Sequence, residues 1–142
     1  MVDEACIFCE ILYGRSPAKI LYEDAAACSF LDIEPVRPGH ALVVPRQHVR
    51  GIAAVGAAKA MAGMAEAIEA TARLLMNGLR ADGISVFQSN GAVAGQTVFH
   101  LHFHLVPRFA GDGRLTIWAG DDDAQAQLDE TYRQLIVTSS AS

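Results

Sequence analysis

At 142 residues the chain is sized for one domain, and a fold of that size buries roughly 68–70% of its unfolded surface, so it can hold a core without covalent staples. Apolar residues at 51% and charged residues at 19% exclude a disordered chain. A formal charge of −5 excludes a global attraction for nucleic-acid backbones, leaving room for a small phosphorylated ligand that needs only local donors.

The start, Met1 to Glu10, is acidic rather than a basic, apolar leader, and no apolar run approaches the roughly 20 residues that span a bilayer. A cytoplasmic protein with no membrane partner is the expectation. Residues 1–16 hold Cys6-x-x-Cys9 and then the break Gly14-Arg15-Ser16-Pro17, read as a short turn and helix whose Cys6 to Leu12 patch docks on the domain. Ile20 to Glu23 and Ala26 to Asp32 are short and rich in strand formers, with Glu23-Asp24 as the turn of a hairpin. Pro35 to Gly39 is a loop by composition, and Ala41 to Pro45 is a short buried strand.

Between Ile52 and Ala81, Met61, Met64, Ile68, Leu75 and Leu79 recur at helical steps in an Ala-rich stretch, which predicts one long amphipathic helix. Asp82-Gly83 ends it. Ile84 to Gln88 is a strand, and Gly91 to Gly95 is a loop whose glycines let backbone approach a ligand. Val98 to Pro107 alternates strictly from Phe99 to Leu105, so as a strand it puts His100, His102 and His104 on one face and Phe99, Leu101, Phe103 and Leu105 on the other. Arg108 to Gly120 bears glycines and the lone Trp118. Ala124 to Ile136 reads as a C-terminal helix carrying Leu128, Tyr132, Leu135 and Ile136.

Three imidazoles about 6.6–7 Å apart on one strand face can bind metal, handle phosphate or be buried as structure. Burying all three without partners is unfavourable, which argues against the last. A zinc hydrolase would use an H-x-H pair from His100, His102 and His104 with a third ligand elsewhere, His40, His48 and Asp32 being available. The preceding Gly95-Gln96-Thr97 offers amides and a hydroxyl that suit a phosphate better.

The run from Gly95 to Val106, with its histidine, apolar, histidine, apolar, histidine, apolar, apolar order, resembles the signature of the histidine triad superfamily. Phe30 to Pro35 and Pro38 to His48 resemble its other two landmarks, and the likeness runs from about residue 6 to residue 109. It implies an α+β fold with a five-stranded antiparallel sheet, one long helix and a C-terminal helix. The chain is then one such domain over 1–142, with its core at 6–109 and an extension at 110–142. The implied activity is hydrolysis or transfer at the α-phosphate of a purine nucleotide through a covalent nucleotidyl-histidine.

By position, the likeness makes His102 the nucleophile, His104 the contact to the transferred phosphate and His40 the fourth histidine. Gln96 and Thr97 receive phosphate oxygens, and Asp32 takes the ribose hydroxyls. Ser89 occupies the slot of a further polar contact by counting back from His100, with Asn90 as its alternative. Phe8, Ile11, Phe30, Leu31 and Ile33 fall where the purine slot is built.

Cys6-x-x-Cys9 is half of a zinc site by spacing. Relatives with this start carry a structural zinc on two cysteines and two histidines, which implies Cys6, Cys9, His48 and His100 as ligands here. Cys28, inside an apolar strand, is read as a buried thiol.

The small size and Cys-x-x-Cys start resemble bacterial Hint-like, zinc-binding members, whose implied substrates are purine nucleoside phosphoramidates. Pro107 to Asp112 has some likeness to fragile-histidine-triad members, which split dinucleoside polyphosphates. A nucleotide-binding regulatory module with little turnover is the rival from another class. The family usually pairs as a homodimer through the long helix and a sheet edge, and Ala58, Met61, Ala62, Ala65 and Ile68 offer the helix a close-packing face.

Overall fold

The computed structural model describes residues 6–113, 122–127, 129–130 and 132–134. Two compact units divide the chain, Met1–Asp112 and Gly113–Ser142. In the first, helix α1 (Ile7–Leu12) is followed by strands β1 (Ile20–Glu23), β2 (Ala27–Leu31) and β3 (Ala41–Pro45), helices α2 (Ala57–Ala62) and α3 (Ala65–Leu79), and strands β4 (Gly83–Phe87) and β5 (Phe103–Arg108). The five strands form one antiparallel sheet in the order β1-β2-β3-β5-β4, so the fold is α+β. Among the described residues no helix is long and apolar enough to cross a membrane.

The period-two pattern of the strands divides two cores. Ala27, Ala41, Val43, Leu101 and Leu105 pack with Met64, Ala67 and Leu75 of the helical layer, where Thr71 also donates a 2.6 Å hydrogen bond to Ser29. The alternate residues Cys28, Phe30, Leu42 and Val44 face the other way and cover α1 through Cys6, Phe8 and Cys9. The N-terminal patch therefore docks on the sheet as its apolar composition requires.

Two elements differ from their sequence reading. The single helix expected over Ile52 to Ala81 is two, because Gly63 interrupts it: glycine is a poor helix former, and this one lies so close to β2 that a Cβ would stand 3.0 Å from that of Ala26. Turns occupy 52–56, and α2 begins after Gly56, whose φ of 88° is glycine's region. The strand expected over Val98 to Pro107 is regular only from Phe103. Its neighbours run out: β3 ends at Pro45, whose carbonyl accepts from the His100 ring, and the Leu101 N–H reaches instead to the Val49 carbonyl at 2.7 Å. The alternation of burial survives the loss of the ladder, since Leu101 is fully buried in the helical-side core while His100 and His102 face α1.

The Gly91 to Gly95 loop contains a 3-10 turn at Ala92–Ala94. In the second unit, helix α4 (Asp122–Ala126) begins two residues before the expected Ala124, and residues 129–130 and 132–134 are also helical. Trp118, Leu128, Leu135 and Ile136 lie outside the described residues.

Candidate functional site

The three alternating histidines are shared between two adjoining clusters. His100, fully buried, turns its Nε2–H to the Pro45 carbonyl at 2.8 Å, which leaves Nδ1 as a lone pair. That nitrogen meets Cys6 Sγ at 3.4 Å, Cys9 Sγ at 3.6 Å and His48 Nδ1 at 3.1 Å, and Cys9 Sγ lies 3.4 Å from His48 Nδ1. All four ligand atoms lie within 4.8 Å of one another, so the group could hold a metal ion. Tetrahedral bonds of about 2.3 Å to sulfur and 2.0–2.1 Å to nitrogen require S···N separations near 3.6 Å and N···N near 3.4 Å. The observed spacings match that requirement. Burial pushes the Cys6 thiol up to about 11, so a buried cation is what would let it act as a thiolate ligand, while burial holds the His100 imidazole down at about 4 and so in the neutral form that ligates.

His102, buried, places its Nδ1 2.7 Å from the His100 carbonyl. A carbonyl only accepts, so Nδ1 carries the proton and the lone pair sits on Nε2. Burial also lowers the pKa of His102, favouring the neutral ring.

His40 has the opposite tautomer. The Val36 N–H donates to its Nδ1 at 3.1 Å, so its own proton is on Nε2, 2.9 Å from His104 Nδ1 and 3.5 Å from Asp32 Oδ2. His104 accepts on Nδ1 and therefore carries its proton on Nε2. Burial, with the like charges of His102 and His40 second, pushes His104 down to about 4; burial also lowers His40, opposed by Asp32. Asp32, His40 and His104 cluster closely enough to gather round an ion, but the Val36 amide already occupies the one lone pair His40 has to offer. The arrangement suits proton transfer.

His102 and His104, their rings 5.0 Å apart, form part of the wall of a cavity of about 500 Å³. Helix α1 contributes Phe8 and Ile11 to this wall, the end of β2 and the following turn contribute Phe30, Leu31, Asp32 and Ile33, and Thr97 completes it among the expected residues. Phe8 stands edge-on to His102 at 5.0 Å and to Phe30 at 5.5 Å. Ile7, Ser16, Pro17, Ala18, Glu34, Leu42 and Val98 also line it and were not singled out from sequence. For Leu42 the signal was present, since alternation along β3 puts it on the face opposite Val43.

Three expected contacts stand elsewhere. Gln96, 5% exposed, spends its whole amide on the loop: Oε1 accepts from Gly91 N at 2.7 Å, and Nε2 donates to the Arg50 and Val98 carbonyls at 2.8 and 3.0 Å. Its side chain shapes the backbone before Thr97 instead of reaching into the cavity. Asn90 Oδ1 accepts from Ile52 N and from Gln88 Nε2, both at 2.9 Å, and neither Asn90 nor Ser89 lines the cavity. Phe87, which the sequence did not mark, stacks on His104 with ring centroids 4.3 Å apart.

A sequence profile of the HIT domain matches residues 14–111. The uncharacterized HIT-like protein MJ0866 of Methanocaldococcus jannaschii is 37% identical over 130 residues, spanning 92% of this chain and 98% of its own. Adenosine 5′-monophosphoramidase HNT1 of Saccharomyces cerevisiae is 32% identical over 136 residues, 95% of this chain and 83% of the yeast protein. The crystal structure of a HIT family member from Bacillus subtilis is similar at a TM-score of 0.83 and 32% identity, with 94% of this chain and 96% of that one covered. Profile, sequence and architecture agree over most of the chain, which belongs to the HIT family.

Proposed function

We propose that the protein is a nucleotidyl hydrolase or transferase that attacks the α-phosphate of a purine nucleotide with His102, and that its substrates are purine nucleoside phosphoramidates. The observation that carries this reading is the 2.7 Å bond from His102 Nδ1 to the His100 carbonyl, which holds the reactive lone pair on Nε2 at the cavity wall. The purine lies in the slot of Phe8, Ile11, Phe30, Leu31 and Ile33, the ribose hydroxyls bind Asp32, and the phosphate meets Thr97 and the backbone that Gln96 braces.

In the first step His102 Nε2 forms a bond to phosphorus as the P–N bond to the leaving amine breaks. The amine takes the proton from His104 Nε2 as the proton on His40 Nε2 passes to His104 Nδ1 and a proton from solvent replaces it on His40, so both rings stay neutral. In the second step water attacks phosphorus and gives a proton to His104 Nε2 as the relay runs back through His40 to solvent, and the bond from phosphorus to His102 breaks to release AMP. Positioned proton transfer of this kind contributes about 10²–10⁴ in rate.

The cavity favours an amine as leaving group. Among the described residues lining it there is no Lys or Arg, and Asp32 and Glu34 are both present, so a chain of further phosphates would meet two carboxylates there. The yeast relative's activity as an adenosine 5′-monophosphoramidase supports the same choice.

Zinc on Cys6, Cys9, His48 and His100 would supply structure only, because four protein ligands leave no open position. Those ligands clamp α1, which carries Phe8 and Ile11, to the segment that carries His102. A reducing cytoplasm keeps such thiols available. The protein works as a homodimer: Ala58, Ala62 and Ala65 are exposed on one side of α2 and α3, whereas Met61 and Ile68 turn to the core.

AMP release from an adenosine phosphoramidate and from a diadenosine polyphosphate, measured in parallel, tests the reading. The phosphoramidate should turn over much faster, and His102→Ala should abolish both activities. Equal or faster cleavage of the polyphosphate, or normal turnover by His102→Ala, would overturn it.

A further inference from the structure

Phe87 ends the edge strand β4 and pairs in register with His104. Their rings are 4.3 Å apart and 8° from parallel, and the same phenyl ring lies 6.3 Å from that of His40. His102 and His104 line the cavity while Phe87 does not, so the phenyl ring covers a face of His104 from outside the substrate space. The second side-chain torsion of a histidine is broad and settles little by itself. Two contacts settle it here: the 2.9 Å bond from His40 holds one nitrogen, and the flat contact with Phe87 holds the plane.

We propose that Phe87 is a positioning residue of the nucleotidyl-transfer reaction, its ring fixing the plane of the His104 imidazole so that Nδ1 stays on His40 and Nε2–H stays aimed at the substrate. This rests on the function proposed above. The groups that face His104 are His102 on its own segment, His40 and Asp32 at the corner between β2 and β3, Leu42 opposite it on β3, and Phe87 on β4. Of these, Phe87 alone offers a flat uncharged surface parallel to the imidazole. A leucine would fill similar space without defining a plane.

The variants Phe87→Leu and Phe87→Tyr, with NMR of the histidine ring protons, make the test. In the wild-type protein the His104 ring protons should be shifted upfield by the stacked ring, a shift lost in F87L and kept in F87Y. For an adenosine phosphoramidate, F87L should lower kcat about tenfold or more, since a misplaced proton donor costs rate. KM and AMP affinity should stay within a factor of about two, because Phe87 lies outside the binding surface. F87Y should recover most of kcat. An unshifted His104 ring in the wild-type protein, an F87L kcat equal to wild type, or an F87Y as slow as F87L would overturn the proposal. Should F87L fail to fold, the wild-type shift and the F87Y rate still decide it. A wild-type protein that releases no AMP would sink the proposed function instead, while the NMR arm would still report on the stack.

Discussion

The chemistry of the site depends on where individual protons sit. Two backbone groups assign them: the His100 carbonyl takes the Nδ1 proton of His102, and the Val36 amide takes the Nδ1 lone pair of His40. Sequence spacing put His100, His102 and His104 on one segment, and the family likeness added His40, but neither said anything of the tautomers, which depend on backbone atoms elsewhere in the fold. The placement of Gln96 depends on the fold in a related way. A polar side chain beside a phosphate loop looks like a ligand contact until its partners Gly91, Arg50 and Val98 are seen. Replacing Gln96 with Ala takes the side-chain partner from three part-buried backbone groups and should cost about 1 kcal/mol in chemical denaturation.

The pH dependence of folding also belongs to single residues. His104, held at about 4 against an ordinary 6.5, and His40, held below it, stay neutral in the folded protein while their unfolded counterparts take up protons. Their contribution to stability is thus fully present above pH 6.5 and is lost as the pH falls from there toward 4. Tm should drop across that interval, and His104→Gln should flatten the drop. An unchanged slope in the variant would contradict the assignment.

At the scale of elements, α1 is the piece on which binding and structure meet. Cys6 and Cys9 face the metal-ligand cluster, while Phe8 and Ile11 face the cavity. Removing bound metal with a chelator should lower Tm and weaken AMP binding together, with loss of activity following unfolding. Activity lost at full stability would instead mean a metal in the chemistry. The turn before β3 is equally constrained: Gly39 adopts φ +90°, and a Cβ there would strike Leu79 and Pro107. Gly39→Ala should destabilise by about 1–3 kcal/mol on thermal unfolding, through overpacking and backbone strain beside His40. The hairpin, β3 and the N-terminal helix were legible because each is a short apolar or strand-forming run bounded by turn residues, and β2 and β3 are buried along almost their whole length. The broken helix and the shortened β5 were not, because a glycine's contact with β2 and the end of a neighbouring strand are tertiary facts.

At the scale of the whole molecule, one antiparallel sheet separates two tasks. Its helical face holds the larger core, and its other face, with α1, holds the cavity, the histidines and the metal-ligand cluster. The alternation from Phe99 to Leu105 already contained this division, which is why most of the site was readable before its geometry. Phe87 was not readable, since β4 gives no sign of which residue it sets against His104 until the register is known. The proposed homodimer predicts a sedimentation mass about twice that of the chain, where a monomer mass at micromolar concentration would contradict it.

The central claim is that the α-phosphate passes through His102, and rapid acid-free quenching of a single turnover with an adenosine phosphoramidate, followed by peptide mass spectrometry, tests it most directly. An adenylyl group on the peptide containing His102, formed and lost at rates compatible with turnover and absent from His102→Asn, is the predicted result. Steady AMP release with no adduct on that peptide, and inversion of configuration at phosphorus in place of the retention that two displacements require, would contradict it.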